Sequence, residues 1–213
     1  MKRHRKISAV ISFSLFVSFL LLFFVSLSSS IIKSIYFLSI HGASDDYKNG
    51  PLTSVAIKVT FGMWGYCTLS ELGQTKCSSP HLGYDISDAF IREIGSPGVL
   101  HAALKALSAV IILHVICCAL TFFAFLSSIF VHIHALAVCA CIISIVDAIF
   151  TTVICAIDIA IAAVVKSKGP SLSKNLFVGG FGPAVEMTIV ATVLQWSSVI
   201  LLCMVICSCL HLG

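Results

Sequence analysis

The chain has 213 residues, of which 59% are hydrophobic and only 10% are charged, and its formal net charge is +4. Soluble domains carry about a quarter charged residues, so this composition excludes an ordinary soluble protein and indicates an integral membrane protein. The basic residues cluster only at the N-terminus, at Lys2, Arg3, Arg5 and Lys6. A nucleic-acid-binding protein would need a basic stripe on a folded surface, so that class is excluded as well.

Four segments are long and apolar enough to cross a bilayer, which takes about 20 residues. They divide the chain into a cytoplasmic N-terminus (1–8), a first span (9–27), a first outer loop (28–105), a second span (106–131), a cytoplasmic turn (132–134), a third span (135–165), a second outer loop (166–183), a fourth span (184–210) and a cytoplasmic C-terminus (211–213). The first span could instead be a cleavable signal peptide. Its apolar run exceeds the roughly 7–15 residues of a signal peptide, which favours a retained span.

The orientation of these spans follows from the basic cluster at the N-terminus. The positive-inside tendency places that end in the cytoplasm, and alternation then puts both long loops outside and the C-terminus inside. Against this, Lys166, Lys168 and Lys174 fall in the second outer loop, whereas the inner turn has no Lys or Arg. We take the N-terminal cluster as decisive.

The first outer loop contains a pattern typical of a β-strand. Apolar residues alternate from Val55 to Phe61 between glycine-containing turns, and this period of two predicts a half-buried strand. Ile32 to Leu38 is a candidate for an earlier strand. Further on, Asp85 to Ile94 has a helical pattern with a capping residue, which Gly95 to Gly98 ends before the second span. The loop therefore predicts a small antiparallel sheet and a short helix.

The ten cysteines fall into two groups. Cys67 and Cys77 are the only two in the predicted outer loops, which favours a disulfide between them over a redox-active pair, since no Cys-x-x-Cys spacing is present. The other eight lie in or beside spans, where we expect small apolar packing residues: Cys117, Cys118, Cys139, Cys141, Cys155, Cys203, Cys207 and Cys209. Palmitoylation of Cys207 and Cys209, at the cytoplasmic end of the fourth span, is an alternative for those two.

Four polar residues interrupt the spans: His114, Asp147, Asp158 and Gln195. An acidic residue at mid-membrane costs about 2.5–3.5 kcal/mol on insertion scales and is a functional candidate by default. Counting depth from the span ends places Asp147 near the midplane, with His114 and Gln195 within one or two turns of it. Such a cluster could hold the helices together, act as a protonation-sensitive switch or line a conduction path.

The third span has a small-residue face at Ala156, Ala160 and Ala163, which suits close helix packing. This span is also longer than a bilayer requires, so we expect it to project outward and support the sheet.

No nucleophile motif, metal-spaced cluster or phosphate-binding loop is present. The sequence therefore predicts no enzyme, no cofactor and no metal site.

The first outer loop also carries a recognisable motif. Gly62-Met63-Trp64-x-x-Cys67, nine residues and Cys77, in a four-span chain with a large first outer loop, resembles the signature of the claudin superfamily. The run from Ser30 to Ile35 after the first span, and Gly83-Tyr84 after the second cysteine, are similar to the fungal PalI-type and eisosomal branch. In that superfamily the residues equivalent to Gly62, Trp64 and the two cysteines hold the extracellular sheet together and seat it on the membrane.

The resemblance implies an all-α membrane protein: a four-transmembrane, left-handed helix bundle with a small, disulfide-linked extracellular antiparallel sheet. The additional Trp of animal claudins is absent, since the only other Trp is Trp196, and so is the long cytoplasmic tail of pH-sensing members. These departures favour a plasma-membrane protein that organises membrane domains, the cell wall or cell contact and fusion in mating. Its expected partners are the bilayer, copies of itself, other membrane proteins and the wall or a facing cell. A sensor subunit in ambient-pH signalling and an oligomeric channel are the alternatives.

Overall fold

A computed structural model of the chain describes residues 2–28, 34–42, 58–62, 64–69, 75–78, 97–130, 133–172 and 177–210. Within these ranges the four long helices are α1 (Lys2–Ser26), α2 (Pro97–Ile129), α3 (His134–Leu172) and α4 (Pro183–Leu210). Each contains a segment long and apolar enough to cross a membrane: Ile7–Ser26, Val110–Ile129, Ala135–Val164 and Pro183–Cys207. The helices pack as a bundle, and a small antiparallel sheet accompanies them, so the predicted fold class is confirmed.

The helix ends and surfaces follow from local sequence. Both α2 and α4 begin at a proline, whose fixed φ and missing N–H suit the first helical position. Glu186 lies in the first turn of α4, where a negative charge interacts favourably with the helix dipole. Large apolar side chains such as Phe13 and Val193 are 69% and 60% exposed, which is unfavourable in water but suits helices that face lipid.

The chain forms two compact units. The first comprises Met1–Phe23, Leu113–Cys155 and Met187–Gly213, so that all four helices contribute to it. Its core is a cluster of small and branched apolar side chains, namely Ile11, Leu15, Ala124, Ala137, Ala140, Cys141, Leu202 and Val205. Small residues at these positions allow close approach of the helix backbones, as in other membrane bundles.

Serines of α1 bind neighbouring helices within this first unit. The Ser18 hydroxyl donates to the Ala191 carbonyl of α4 at 3.2 Å, and the Ser12 and Ser128 hydroxyls of α1 and α2 lie 3.0 Å apart. Such interhelical hydrogen bonds add to van der Waals packing in the association of membrane spans. They fix α1 against both α2 and α4.

The second unit, Phe24–Ile112 and Ala156–Glu186, contains a five-stranded sheet. The strands are β1 (Leu38–Gly42), β2 (Lys58–Phe61), β3 (Tyr66–Leu69), β4 (Thr75–Cys77) and β5 (Phe177–Phe181). Their order is β4-β3-β2-β1-β5, and each adjacent pair is antiparallel. In register, Leu38 faces Phe61 on one side and Phe181 on the other. The second loop therefore adds a strand to the sheet of the first loop.

Some loop predictions differ from the structure. The strand expected at Ile32 to Leu38 begins only at Leu38, and residues 34–37 precede it without strand structure. Its position is set by its pairing with β2 and β5, which no local pattern contains. The expected strand from Val55 appears as β2 from Lys58 onward, with residues 55–57 outside the described ranges. The predicted helix from Asp85 to Ile94 also lies outside them.

Candidate functional site

The turn between β2 and β3 is built on two glycines, Gly62 of the loop motif and Gly65 at one of its variable positions. The Gly62 amide donates to the Gly65 carbonyl at 2.9 Å, which closes a tight hairpin connection. Gly65 has a φ of 149°, a conformation that residues with a Cβ rarely adopt. Glycine therefore occupies both of these positions in the turn.

The predicted disulfide is confirmed. Cys67 on β3 and Cys77 on β4 are direct register partners, and their sulfurs are bonded, with the Cα atoms 4.0 Å apart. The same edge is tied by the Ser78 amide, which donates to the Tyr66 carbonyl at 2.9 Å. Because β4 has only three residues, its ladder alone would hold it weakly, and the covalent bond fixes it to the sheet.

Trp64 connects the hairpin to the end of α1. Its indole Nε1 donates to the carbonyl oxygen of Ser26 at 2.6 Å. Ser26 is the last residue of α1, and the final carbonyls of a helix have no partner within the helix. The tryptophan of the motif thus caps the first helix from the sheet, which gives the Gly-x-Trp spacing a physical role.

A second junction joins β5 and α4 to the segment before β1. The Gly182 amide donates to the Phe37 carbonyl at 2.9 Å, and the Ala184 amide donates to the Tyr36 carbonyl at 3.3 Å. A Cβ on Gly182 would overlap the carbonyl group of Tyr36. Glycine is required here because two backbones approach more closely than a side chain allows.

Asp147 lies at the centre of a buried polar cluster in the first unit. Its Oδ2 is 2.6 Å from the Thr121 hydroxyl and accepts a hydrogen bond from Gln195 Nε2 at 2.8 Å. The same Nε2 is 2.9 Å from the Thr121 oxygen, so that three side chains from α2, α3 and α4 form a closed triangle. Asp147 and Gln195 are each 1% exposed and Thr121 is fully buried.

The remaining predicted site residues form no hydrogen bond of this triangle. His114 is fully buried in the same unit, three and seven residues before Cys117 and Thr121 and therefore on the same face of α2. Asp158 is 5% exposed and belongs to the second unit. Cys207 is exposed, as a palmitoylation site must be, and the side chain of Cys209 lies outside the described part of the chain.

Three hydroxyl residues near Asp147 were not predicted from the sequence: Thr121, Ser144 and Thr151. All three are at most 1% exposed. Ser and Thr are common in membrane helices, so their presence alone carries little information. A usable signal was their spacing, since Ser144 and Thr151 lie three residues before and four residues after Asp147 and so share its helix face.

The cluster has no feature of a transition-metal site. Among the described residues, no group of three or more His, Cys, Asp or Glu side chains could hold a metal ion. What the triangle does provide is polar contact between three helices in the buried interior of the first unit.

Comparison with known proteins agrees with the architecture. The model of the SUR7/PalI family matches residues 7–208, nearly the whole chain. No curated protein sequence matches it significantly. With four membrane spans and a disulfide-linked sheet, the chain belongs to the SUR7/PalI family, a family of non-catalytic membrane proteins.

Proposed function

We propose that this protein is a non-enzymatic organiser of the plasma membrane. Its spans associate laterally with copies of itself or with other membrane proteins, and its sheet contacts the cell wall or a neighbouring cell, including during fusion in mating. The observation that carries the proposal is the construction of the sheet. Two separate loops contribute to it, a disulfide ties one edge, and Trp64 ties it to α1. A sheet restrained in this way keeps one shape, as a contact surface requires.

The disulfide supports an orientation with the sheet outside the cell. Structural disulfides persist in oxidising compartments and are rare in the cytosol. With four spans, both termini then lie in the cytoplasm, which agrees with the basic residues at the N-terminus.

Lateral association is supported by a small-residue surface on α3. Ala156, Ala160 and Ala163 lie within the third candidate span and are exposed in the single chain. Small residues at spacings of four and three allow another helix to approach closely. This surface suits a second copy or another membrane protein.

The test is live imaging of the protein with a fluorophore on its C-terminus, in vegetative cells and in mating pairs. We expect accumulation at sites of contact or growth, and expect the double variant Cys67→Ser/Cys77→Ser to reach the cell surface without accumulating there. The variant Cys139→Ser, which removes an exposed thiol of α3, serves as the control. A uniform signal in mating pairs would contradict the proposal.

A second candidate, a sensor subunit in ambient-pH signalling, is favoured by one observation. Asp147 is an ionisable group almost completely removed from solvent, and His114 is buried in the same unit. If the protein is a pH sensor, we expect it to redistribute in the membrane after an alkaline shift. The variant Asp147→Asn should fold but should no longer redistribute. Redistribution that persists in Asp147→Asn would rule this candidate out.

A further inference from the structure

The basic residues that precede the first span belong to a helix. α1 begins at Lys2 and continues without interruption into the candidate span, which starts at Ile7. The basic positions on this stretch are Lys2, Arg3, Arg5 and Lys6. At a rise of about 1.5 Å per residue, they lie within roughly 6 Å of one another along the helix axis. The positive charge is therefore concentrated directly beside the apolar segment.

The spacing of these residues also places them on one side of α1. At about 100° per residue, Lys2, Arg5 and Lys6 fall within roughly 100° of the helix circumference. Arg3 follows about 60° beyond Lys6, on the same half, whereas His4 falls on the opposite half. The four Lys and Arg positions therefore share one side of the helix, and we call them the basic face.

The first unit offers the basic face no acidic partner. By sequence, its segments 1–23, 113–155 and 187–213 contain a single Asp or Glu, which is Asp147. That residue is buried in the polar triangle. The segments of the second unit are nearly balanced, with nine Lys or Arg and eight Asp or Glu. Most of the excess positive charge of the chain therefore lies on the basic face.

The basic face lies at the end of the first unit where α1 and α3 begin and α4 ends. Ile7 packs against the core cluster of this unit, which includes Ala137 near the start of α3 and Val205 near the end of α4. With four spans, both long loops and their acidic residues lie on the other side of the membrane. An anionic partner for the basic face would therefore come from outside the chain, at the membrane surface.

Two simpler roles do not account for the basic face. Basic residues in the first turn interact unfavourably with the helix dipole, and α1 has no acidic residue there, so the cluster does not stabilise its own helix. The positive-inside tendency explains on which side of the membrane these charges lie, but not their concentration on one side of a helix. Anionic lipid headgroups lie at the membrane surface and attract basic segments next to a span. Charge complementarity therefore favours a lipid headgroup as the partner.

We propose that the basic face binds a lipid whose headgroup carries several phosphates, of the phosphoinositide class. Arg and Lys both form charge-assisted hydrogen bonds with phosphate oxygens. One multivalent headgroup can meet several cations within roughly 6 Å of helix, whereas monovalent lipids such as phosphatidylserine would have to crowd several headgroups into the same space. Binding would draw the protein to membrane regions rich in this lipid. The site does not depend on the organising function proposed above.

The test uses the full-length protein in phosphatidylcholine liposomes, with a donor fluorophore on its C-terminus. Because α4 ends where α1 begins, energy transfer to an acceptor-labelled lipid reports binding at the basic face. Transfer to labelled phosphatidylcholine gives the baseline for random contact. We expect transfer to labelled phosphatidylinositol bisphosphate to saturate with its lipid fraction and to exceed transfer to labelled phosphatidylserine at equal total lipid charge.

A matched pair of double variants separates the basic face from the overall charge. Arg5→Gln/Lys6→Gln should weaken the apparent affinity for phosphatidylinositol bisphosphate about 30-fold, because each Lys or Arg near an anionic surface contributes about fivefold. Two basic residues then remain before the span to orient it. Lys166→Gln/Lys168→Gln removes the same charge from the region that follows the third candidate span and should leave the affinity unchanged.

Three results would overturn the proposal. They are equal transfer to phosphatidylinositol bisphosphate and phosphatidylserine at matched charge, equal affinities of the two double variants, and a wild-type affinity that does not fall as salt is raised, since salt screens exposed charges. The salt titration needs no variant, so it decides if Arg5→Gln/Lys6→Gln does not insert. Intact lipid binding without accumulation at contact sites would count against the organising function alone.

Discussion

At the scale of single residues, the residues from Gly62 to Cys67 have identifiable structural roles in the turn, the helix cap and the disulfide. Gly65 adopts a φ that favours glycine, Trp64 supplies a donor to the last carbonyl of α1, and Cys67 bonds to its register partner on the edge strand. Each of these residues ties the sheet at a different point. A change at any of them should therefore loosen the sheet without disturbing the core of the first unit.

The disulfide gives the sharpest prediction at this scale. Closing a loop of about ten residues should contribute somewhat under 3 kcal/mol to the stability of the β3–β4 edge. We expect Cys67→Ser/Cys77→Ser to accelerate amide hydrogen exchange in β3 on the order of 50-fold, measured by mass spectrometry on the purified protein. Dithiothreitol should produce the same change in the wild type and none in the variant. Unchanged exchange in the variant would contradict this role.

At the scale of elements, β5 makes one sheet of two loops. It pairs along the whole of β1, from Leu38 opposite Phe181 to Gly42 opposite Phe177. Directly after β5, Gly182 turns the chain into α4 while its amide bonds to the Phe37 carbonyl. The position of β5 therefore depends on close contact between two backbone segments that are far apart in sequence.

Gly182→Ala should disrupt this junction. The new Cβ would overlap the Tyr36 carbonyl, a backbone group that cannot rotate away, and overpacking of this kind costs about 1–3 kcal/mol. Gly180→Ala is the matched control, because its Cβ would meet only the Ser39 hydroxyl at 3.2 Å. Hydrogen exchange in β1 and β5 should accelerate in Gly182→Ala and change little in Gly180→Ala. Equal effects would refute the steric explanation.

At the scale of the whole molecule, helix surfaces are divided between intramolecular packing and the membrane. The first unit packs small side chains inside, whereas many large apolar residues are exposed. On α3 the exposed surface also includes the alanine stripe of residues 156, 160 and 163. Lipid can cover this stripe, but a second helix fits it better, since small residues permit close backbone approach.

Self-association through this stripe predicts a specific effect of Ala160→Leu. The larger side chain should keep a partner helix at a distance and lower energy transfer between two fluorescently labelled copies in the membrane. The neighbouring Ile159→Leu, at a position that is 42% exposed, changes shape but not size and should leave the transfer unchanged. Wild-type transfer in Ala160→Leu would exclude this surface as the contact.

Much of the architecture was predictable because bilayer insertion imposes strong local requirements. The four helices follow from apolar runs of about 20 residues, and the Cys67–Cys77 bond follows from the lack of any other cysteine in the predicted outer loops. The strand beginning at Leu38 was misplaced, and β5 was not predicted. A strand such as Phe-Val-Gly-Gly-Phe has no alternating pattern, and it exists because β1 offers it a hydrogen-bonding edge.

The polar cluster was likewise predictable only in part from the sequence. The sequence identified Asp147 and Gln195 as unusual, because isolated polar residues in spans are costly. It did not identify Thr121 as their partner, since hydroxyl residues occur throughout the spans.

The sequence by itself determined that this is a four-span membrane protein with a disulfide-linked loop, since hydrophobic length and residue type are local properties. Only the tertiary structure decided that Thr121 completes the triangle with Asp147 and Gln195 and that β5 joins β1. These features depend on which faces of separate segments meet, and that is settled by packing across distances of many residues in the chain.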